Sequence, residues 1–102
     1  MPRIVVLFNL KEGVAAEEYE QWAKTTDLPT VNGLTSVNGF AVQRSAGLLM
    51  GEGDPPYQYI EIIDVNDMQL FGDEVSTAAM QKVAGEFGGF ADNPCFILTD
   101  DL

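Results

Sequence analysis

Residues 3–29 read RIVVLFNLKEGVAAEEYEQWAKTTDLP, and this stretch decides the fold. Its strand segment, Ile4–Phe8, is apolar at every position, as expected of a strand that is covered on both faces. The following segment, residues 14–26, has one apolar helical stripe that is predicted to be core, formed by Ala15, Tyr19, Trp22 and Ala23. Because proline disfavours helical geometry at the preceding residue, Pro29 predicts that this helix ends near Asp27.

Two further strands are predicted in the middle of the chain, Ser36–Ser45 and Tyr57–Val65. The long connection between them contains glycine and proline, so we expect an antiparallel pair. Gly39 indicates either a bulge in the first of these strands or a close approach of another backbone segment. In the same strand, the alternation of side chains predicts that Val37 lies on the opposite face from Phe40.

A second helix and a last strand complete the pattern. Asp67 is a predicted N-cap, and apolar residues recur every four positions after it, at Val75, Ala79, Val83 and Phe87. Gly88-Gly89 is expected to end this helix. The last strand is Cys95–Thr99, in which we interpret Cys95 as a small buried apolar residue.

The order of elements is β-α-β-β-α-β, which is typical of a ferredoxin-like α+β fold with a four-stranded antiparallel sheet. A chain of 102 residues is long enough for one core, so we predict a single domain over residues 1–102. Both helices are expected on one sheet face, which leaves the second apolar face of Ile4–Phe8 uncovered. We therefore expect a homodimer that pairs sheet to sheet as a dimeric α+β barrel, with a cleft for a small molecule between the sheets.

The chain carries 5 Lys and Arg against 16 Asp and Glu, a formal net charge of −11. This charge repels phosphate backbones and anionic lipids, so we expect neither nucleic acid nor a membrane as a partner. No apolar run approaches the ~20 residues of a membrane span, and the N-terminus lacks a signal-peptide pattern, so we expect a cytoplasmic protein. With no His and a single Cys, the sequence predicts no disulfide, no metal site and no cofactor.

Without histidine, acid–base chemistry falls to carboxyl groups whose pKa is shifted by their surroundings. Glu61 is the best candidate on a strand. It shares a face with Tyr59, whereas Ile60 and Ile62 point the other way and are expected to meet the helices. The alternative interpretation is that Glu61 is half-exposed or forms an ion pair with Arg44.

Asn9, Arg44 and Tyr59 are candidates for ligand binding together with Glu61. Asn9 ends the apolar first strand, where it either lines the cleft or begins the turn. Arg44 either pairs with Glu61 or anchors an anionic ligand. Asp27 either caps the turn after the first helix or presents a carboxylate at the mouth of the cleft. In an enzyme, Glu61 or Asp27 would be the base, and Tyr59 or Arg44 would stabilise developing negative charge.

The whole chain resembles the REDY-like HapK family of small dimeric α+β barrel proteins. The resemblance rests on Gly13-Val14 with Glu17-Glu18-Tyr19, on Asp27-Leu28-Pro29, on the apolar strand Ile4–Phe8 and on the chain length. This family is associated with the biosynthesis of prodigiosin-type red pigments, so the resemblance implies a role on or near a pyrrolic intermediate. Many relatives in the wider barrel group carry His where Asp27 stands. Because this chain has Asp27 there, the resemblance does not imply a reaction that needs that histidine.

Three functions are compatible with these features. The first is a binding or accessory protein that holds a flat, apolar intermediate between the sheets of the dimer. The second is a cofactor-independent enzyme that acts on the same intermediate by carboxylate acid–base chemistry. The third is a purely structural dimer that has no ligand.

Overall fold

The computed structural model describes residues 2–102, and residue 1 of the predicted domain lies outside the described residues. In this part of the chain one sheet is formed by four strands, β1 to β4, which span Arg3–Leu10, Val37–Arg44, Tyr59–Val65 and Ala91–Thr99. They lie in the order β2-β3-β1-β4, and neighbouring strands are antiparallel. Helical segments follow β1 and β3, which confirms the predicted ferredoxin-like βαββαβ order.

The helical segment after β1 is longer than predicted, because it passes Asp27 and continues to Asn32. It comprises α1 (Ala16–Trp22), a π-helical turn (Ala23–Asp27) and α2 (Leu28–Asn32). At the end of the π-helical turn, the Leu28 N–H donates to the carbonyl of Ala23, five residues earlier. Pro29 lies in the first turn of α2, the part of a helix where proline is best tolerated. The prediction that the helix ends near Asp27 is therefore wrong.

The segment after β3 consists of two helices, α3 (Met68–Val75) and α4 (Ala78–Phe90). Asp67 caps α3 as predicted, because its carboxylate accepts a hydrogen bond from the Leu70 N–H at 3.1 Å. The prediction that Gly88-Gly89 ends the second helix is wrong, since both glycines lie inside α4. Packing explains the extension: the ring of Phe90 lies 5.2 Å from that of Trp22, and such tertiary contacts stabilise the last turn.

The bulge predicted at Gly39 is present in β2. Val37 lies opposite Val65 of β3, whereas Gly39 lies opposite Asp64, so β2 has one extra residue between these pairs. The extra residue brings Val37 to the same face as Phe40, and both side chains are buried in one hydrophobic cluster. The expectation that these two residues face opposite ways is wrong for this reason.

The orientation of β3 is the reverse of the expectation. Tyr59, Glu61 and Ile63 are buried on the face that meets the helices, whereas Ile60 and Ile62 point to the other face of the sheet. The prediction that Ile60 and Ile62 meet the helices is therefore wrong. Alternation along a strand determines which residues share a face, but packing decides which face is buried.

The sheet face that points away from the helices is called the outer face here. Its apolar residues are Val5, Leu7, Ile60, Ile62 and Ile97. Ile62 and Ile97 are 38% and 40% exposed, so the uncovered apolar face expected from β1 is present. Cys95 lies opposite Leu7 in the register and is exposed, which corrects the expectation that it is buried.

Candidate functional site

A cavity of about 300 Å³ lies between the helices and the inner face of the sheet. Most of its wall is apolar. The helices contribute Val31, Phe71, Val83 and Phe87, and the strands contribute Ile4 and Ile63. A concave, largely apolar space of this kind with a few polar groups is typical of a small-molecule site.

Asp27 and Glu61 are the charged residues in the cavity wall, and each is almost completely buried. Asp27 is 4% exposed and comes from the π-helical turn, while Glu61 is 5% exposed and comes from the middle of β3. Both were candidates for catalysis on sequence grounds. The fold brings them to one cavity from opposite layers.

The structure contradicts the alternative interpretations of these two carboxyl groups. Asp27 caps no helix end with its side chain, so the capping interpretation is wrong. Glu61 does not pair with Arg44, whose guanidinium bonds to Glu20 instead. In residues 2–102, Glu61 Oε2 and the Tyr19 hydroxyl are both buried without a hydrogen-bond partner. Such orphaned polar atoms are rare in a folded core and are frequently found at binding sites.

Burial shifts the acidity of both carboxyl groups. Desolvation raises the pKa of Asp27 from its ordinary value of 3.8 to about 6. Desolvation, and after it the nearby charge of Asp27, raise the pKa of Glu61 from 4.5 to about 8, against a smaller opposing effect of the Tyr19 hydroxyl. At neutral pH the pair therefore holds one proton, with Glu61 protonated and Asp27 ionised. The cavity thus offers one hydrogen-bond donor and one anionic acceptor.

Tyr19 is a further polar group beside this pair. Its ring is fully buried, as predicted, and packs edge-on against Phe8 at a centroid distance of 5.5 Å. Burial and the negative charges of Glu61 and Asp27 raise the pKa of its hydroxyl, so it remains a donor at any physiological pH. From the sequence, Tyr19 is predicted only as a core residue. The four-residue spacing from Tyr19 through Ala23 to Asp27 was the signal that could have placed its hydroxyl beside the carboxyl group.

Arg44 and Tyr59 lie outside this cavity. They line a neighbouring pocket of about 240 Å³ and both bond to Glu20. Arg44 Nη1 lies 2.7 Å from Glu20 Oε1, and the Tyr59 hydroxyl donates to Glu20 Oε2 at 2.7 Å. Burial, and then the bond to Glu20, raise the pKa of Tyr59 to about 12. Glu20 was not among the residues predicted from the sequence to bind these two side chains.

Asn9 holds the chain before β3 in place. Its side-chain amide donates to the carbonyl of Pro56 at 3.1 Å and accepts from the N–H of Gln58 at 2.9 Å. It borders neither of these two pockets. Of the four predicted ligand-binding residues, Glu61 alone lines the cavity that contains Asp27.

Two features are absent from residues 2–102. None of the described helices has the length and hydrophobicity of a transmembrane segment. In the same part of the chain, no group of three or more His, Cys, Asp or Glu side chains is arranged to hold a metal ion.

Comparison with known proteins adds a family and a fold. The family model described as REDY-like protein HapK matches residues 2–102. The crystal structure of HapK from Hahella chejuensis is 25% identical, with a TM-score of 0.78, and the match covers 100% of this chain and 93% of that one. A protein from Arabidopsis thaliana is 19% identical, with a TM-score of 0.82 and coverage of 100% and 96%.

A third solved structure, described as a dimeric ferredoxin-like protein of unknown function from Thermobifida fusca, is 14% identical. Its TM-score is 0.75, and the match covers 98% of this chain and 90% of that one. No curated protein shows significant sequence similarity to the chain.

Proposed function

Because the chain belongs to the REDY-like HapK family, we propose that it is a small homodimeric, cytoplasmic protein of prodigiosin-type red pigment biosynthesis that binds a pyrrolic intermediate. The observation that carries the proposal is the apolar cavity with Asp27 and Glu61 in its wall. Apolar walls suit the faces of a flat ring, and the two carboxyl groups suit its polar edge. A volume of about 300 Å³ is at the small end for ligand sites, which favours a precursor over a finished pigment.

The ligand position that we propose differs from the one expected from the sequence. The predicted cleft lay between the sheets of two subunits, with Glu61 on the face that lines it. Glu61 instead faces the helices of its own chain, so we place the intermediate in the cavity within each subunit. A dimer is then needed to cover the outer face, and not to complete the binding site.

The outer face supports the homodimer. Val5 and Leu7 in its centre are half-buried, and Ile62 and Ile97 beside them are more exposed. An apolar sheet face is a liability on a monomer and is covered in a symmetric dimer by the same face of a second copy. The Thermobifida fusca structure described above is named as a dimer, and so is one from Bacteroides fragilis with a ferredoxin-like fold.

An enzymatic role is the second candidate, and the proton shared by Asp27 and Glu61 favours it. In this version Asp27 takes a proton from the intermediate while Glu61 delivers one to another atom of it, which yields a tautomer. Transfer of the proton from Asp27 back to Glu61 restores the site, so no further reactant is needed. The Tyr19 hydroxyl would stabilise developing negative charge, because it lies close enough to Glu61 and Asp27 for their charges to raise its pKa.

Binding of 2,2′-bipyrrole, measured by titration calorimetry, tests the first function. Val83→Phe fills the cavity, and we expect it to weaken binding at least about tenfold, since the ring and the ligand compete for one space. Ala79→Phe is the matched control, because Ala79 is exposed on the same helix, and it should leave binding unchanged. If the unmodified protein does not bind the bipyrrole, the proposal is wrong.

Glu61→Gln separates the two functions. Glutamine preserves the shape and the neutral state of the side chain but does not exchange the proton. In a pigment-producing strain that depends on this protein, the enzymatic role predicts loss of pigment with this variant. Unchanged pigment formation with a folded dimer would rule out the enzymatic role and leave the binding role in place.

A further inference from the structure

Few polar side chains line the cavity. The lining residues with polar side chains are Asp27, Glu61 and Gln81, and no lysine or arginine is among them. Gln81 uses an amide N–H inside the protein, because it donates to the carbonyl of Val75 at 2.9 Å. Gln81 is also exposed, so the carboxyl groups of Asp27 and Glu61 are the buried polar groups that a ligand in the cavity would meet.

Both carboxyl groups are buried, and one oxygen of Glu61 has no donor. Glu61 is 95% buried, and its Oε2 atom has no hydrogen-bond partner in residues 2–102. Asp27 is equally buried, and its side chain caps no helix end. A buried acceptor without a donor destabilises the folded protein, and a ligand that brings a donor removes this penalty.

The charge of the site determines which ligands are disfavoured. Two carboxyl groups in one apolar cavity do not both ionise at neutral pH, because like charges without a nearby cation repel. The single negative charge that remains attracts a hydrogen-bond donor or a cation. A carboxylate on the ligand would add a second negative charge to a space that no basic side chain lines.

We infer that this cavity selects a flat nitrogen heterocycle that donates an N–H hydrogen bond to Asp27, in neutral or protonated form, and rejects ligands that carry a carboxylate. The inference rests on the proposed function, because it takes the cavity to be a small-molecule site. It goes further in naming the group that is recognised and the residue that recognises it. The raised pKa of Glu61 supports this assignment, since it leaves Asp27 as the anionic acceptor at neutral pH.

Three probes of similar shape test the inference: indole, 1-methylindole and indole-2-carboxylate. The first two differ in the N–H alone, and the third adds a negative charge. By titration calorimetry at neutral pH, we expect indole to bind at least about tenfold more tightly than 1-methylindole, because a site built to accept a hydrogen bond rejects the analogue that lacks it. Indole-2-carboxylate should bind more weakly than indole by a similar or larger factor.

Variants at Asp27 test whether the preference for indole over 1-methylindole arises from a hydrogen bond to Asp27. Asp27→Leu has the same branched arrangement of heavy atoms and no acceptor, so 1-methylindole should bind as well as indole. Asp27→Asn retains a neutral acceptor and should reduce the preference without abolishing it, which provides a second measurement should the leucine variant not fold. Glu12→Gln removes an exposed carboxylate outside the cavity and should leave all three affinities unchanged.

The binding results distinguish the inference about N–H recognition from the proposed binding function. Equal affinity for indole and 1-methylindole overturns the inference and leaves the cavity as an apolar site, as the proposed function requires. Preference for indole-2-carboxylate overturns the inference in the same way. If no probe binds and the bipyrrole does not bind either, the proposed function fails, and the inference fails with it.

Discussion

The carboxyl groups of Asp27 and Glu61 enter one apolar cavity from opposite layers of the fold, and the charge of Asp27 raises the pKa of Glu61. The helical layer supplies Asp27 through its π-helical turn, and the sheet supplies Glu61 through β3. Neither carboxyl group has a basic partner in the cavity wall. The protonation of this pair therefore depends on pH within the neutral range. The stability of the folded protein depends on pH for the same reason.

Replacement of Glu61 by Gln should stabilise the protein at high pH. The pKa of Glu61 is about 8 in the folded state and near its ordinary value of 4.5 in the unfolded state, so the folded state binds the proton more tightly. Stability therefore falls as pH rises from about 4.5 to 8. At pH 8 we expect Glu61→Gln to be more stable than the parent, on the order of 4 kcal/mol, with almost no difference at pH 4. Urea unfolding at both pH values measures this, and a difference that does not change with pH would contradict it.

Asp27→Asn should lower the pKa of Glu61. The charge of Asp27 is the second cause of the raised pKa after burial, and asparagine removes the charge while it retains the shape. The expected result is a pKa below about 8 but still above 4.5, because burial of Glu61 remains. Carbon-13 NMR titration of the side-chain carboxyl group reports it. An unchanged pKa would mean that the two groups do not interact.

Glu20→Gln should lower the pKa of Tyr59 from about 12. The Tyr59 hydroxyl donates to Glu20, and both this bond and the charge of Glu20 raise that pKa. The ultraviolet absorbance of the phenolate follows the titration. Arg44→Gln is the matched comparison at the same cluster, and it should raise the pKa of Tyr59 instead, since the Arg44 charge lowers it. The opposite order would show that Glu20 is not the partner.

Arg44→Gln should also have little effect on stability and on ligand binding in the cavity. The Arg44 side chain is 69% exposed, and an exposed ion pair contributes little because water screens it. Thermal unfolding and the indole titration measure the two effects. A tenfold loss of affinity would place Arg44 in the binding site, contrary to its position in the neighbouring pocket.

Ile62→Asp should break the proposed dimer. Ile62 lies on the outer face, and a carboxylate there would be buried without a partner between two sheets. Light scattering after size-exclusion chromatography should give twice the chain mass of 11.1 kDa for the parent and the chain mass for the variant. Gln21→Asp, at an exposed position on α1, is the control and should remain a dimer. A parent protein with the mass of one chain would contradict the proposal.

The helix before Pro29 illustrates where a local rule failed. Proline does disfavour an α-helical residue before it, but the π-helical turn continues the helix past Asp27, and Pro29 lies in the first turn of α2. A π-helical turn has no clear signature in one sequence. The burial of Asp27, which makes it a site residue instead of a cap, could therefore not be predicted from its neighbours in the chain.

The sequence by itself determined the order of strands and helices and the apolar second face of β1, because hydrophobic periodicity and turn residues are local properties. It also identified Glu61 and Asp27 as the carboxyl groups suited to chemistry, since the chain has no histidine. Only the tertiary structure decided that Glu61 faces the helices and shares a cavity with Asp27. Alternation along a strand leaves the choice of buried face open, and that choice depends on packing between residues far apart in the chain.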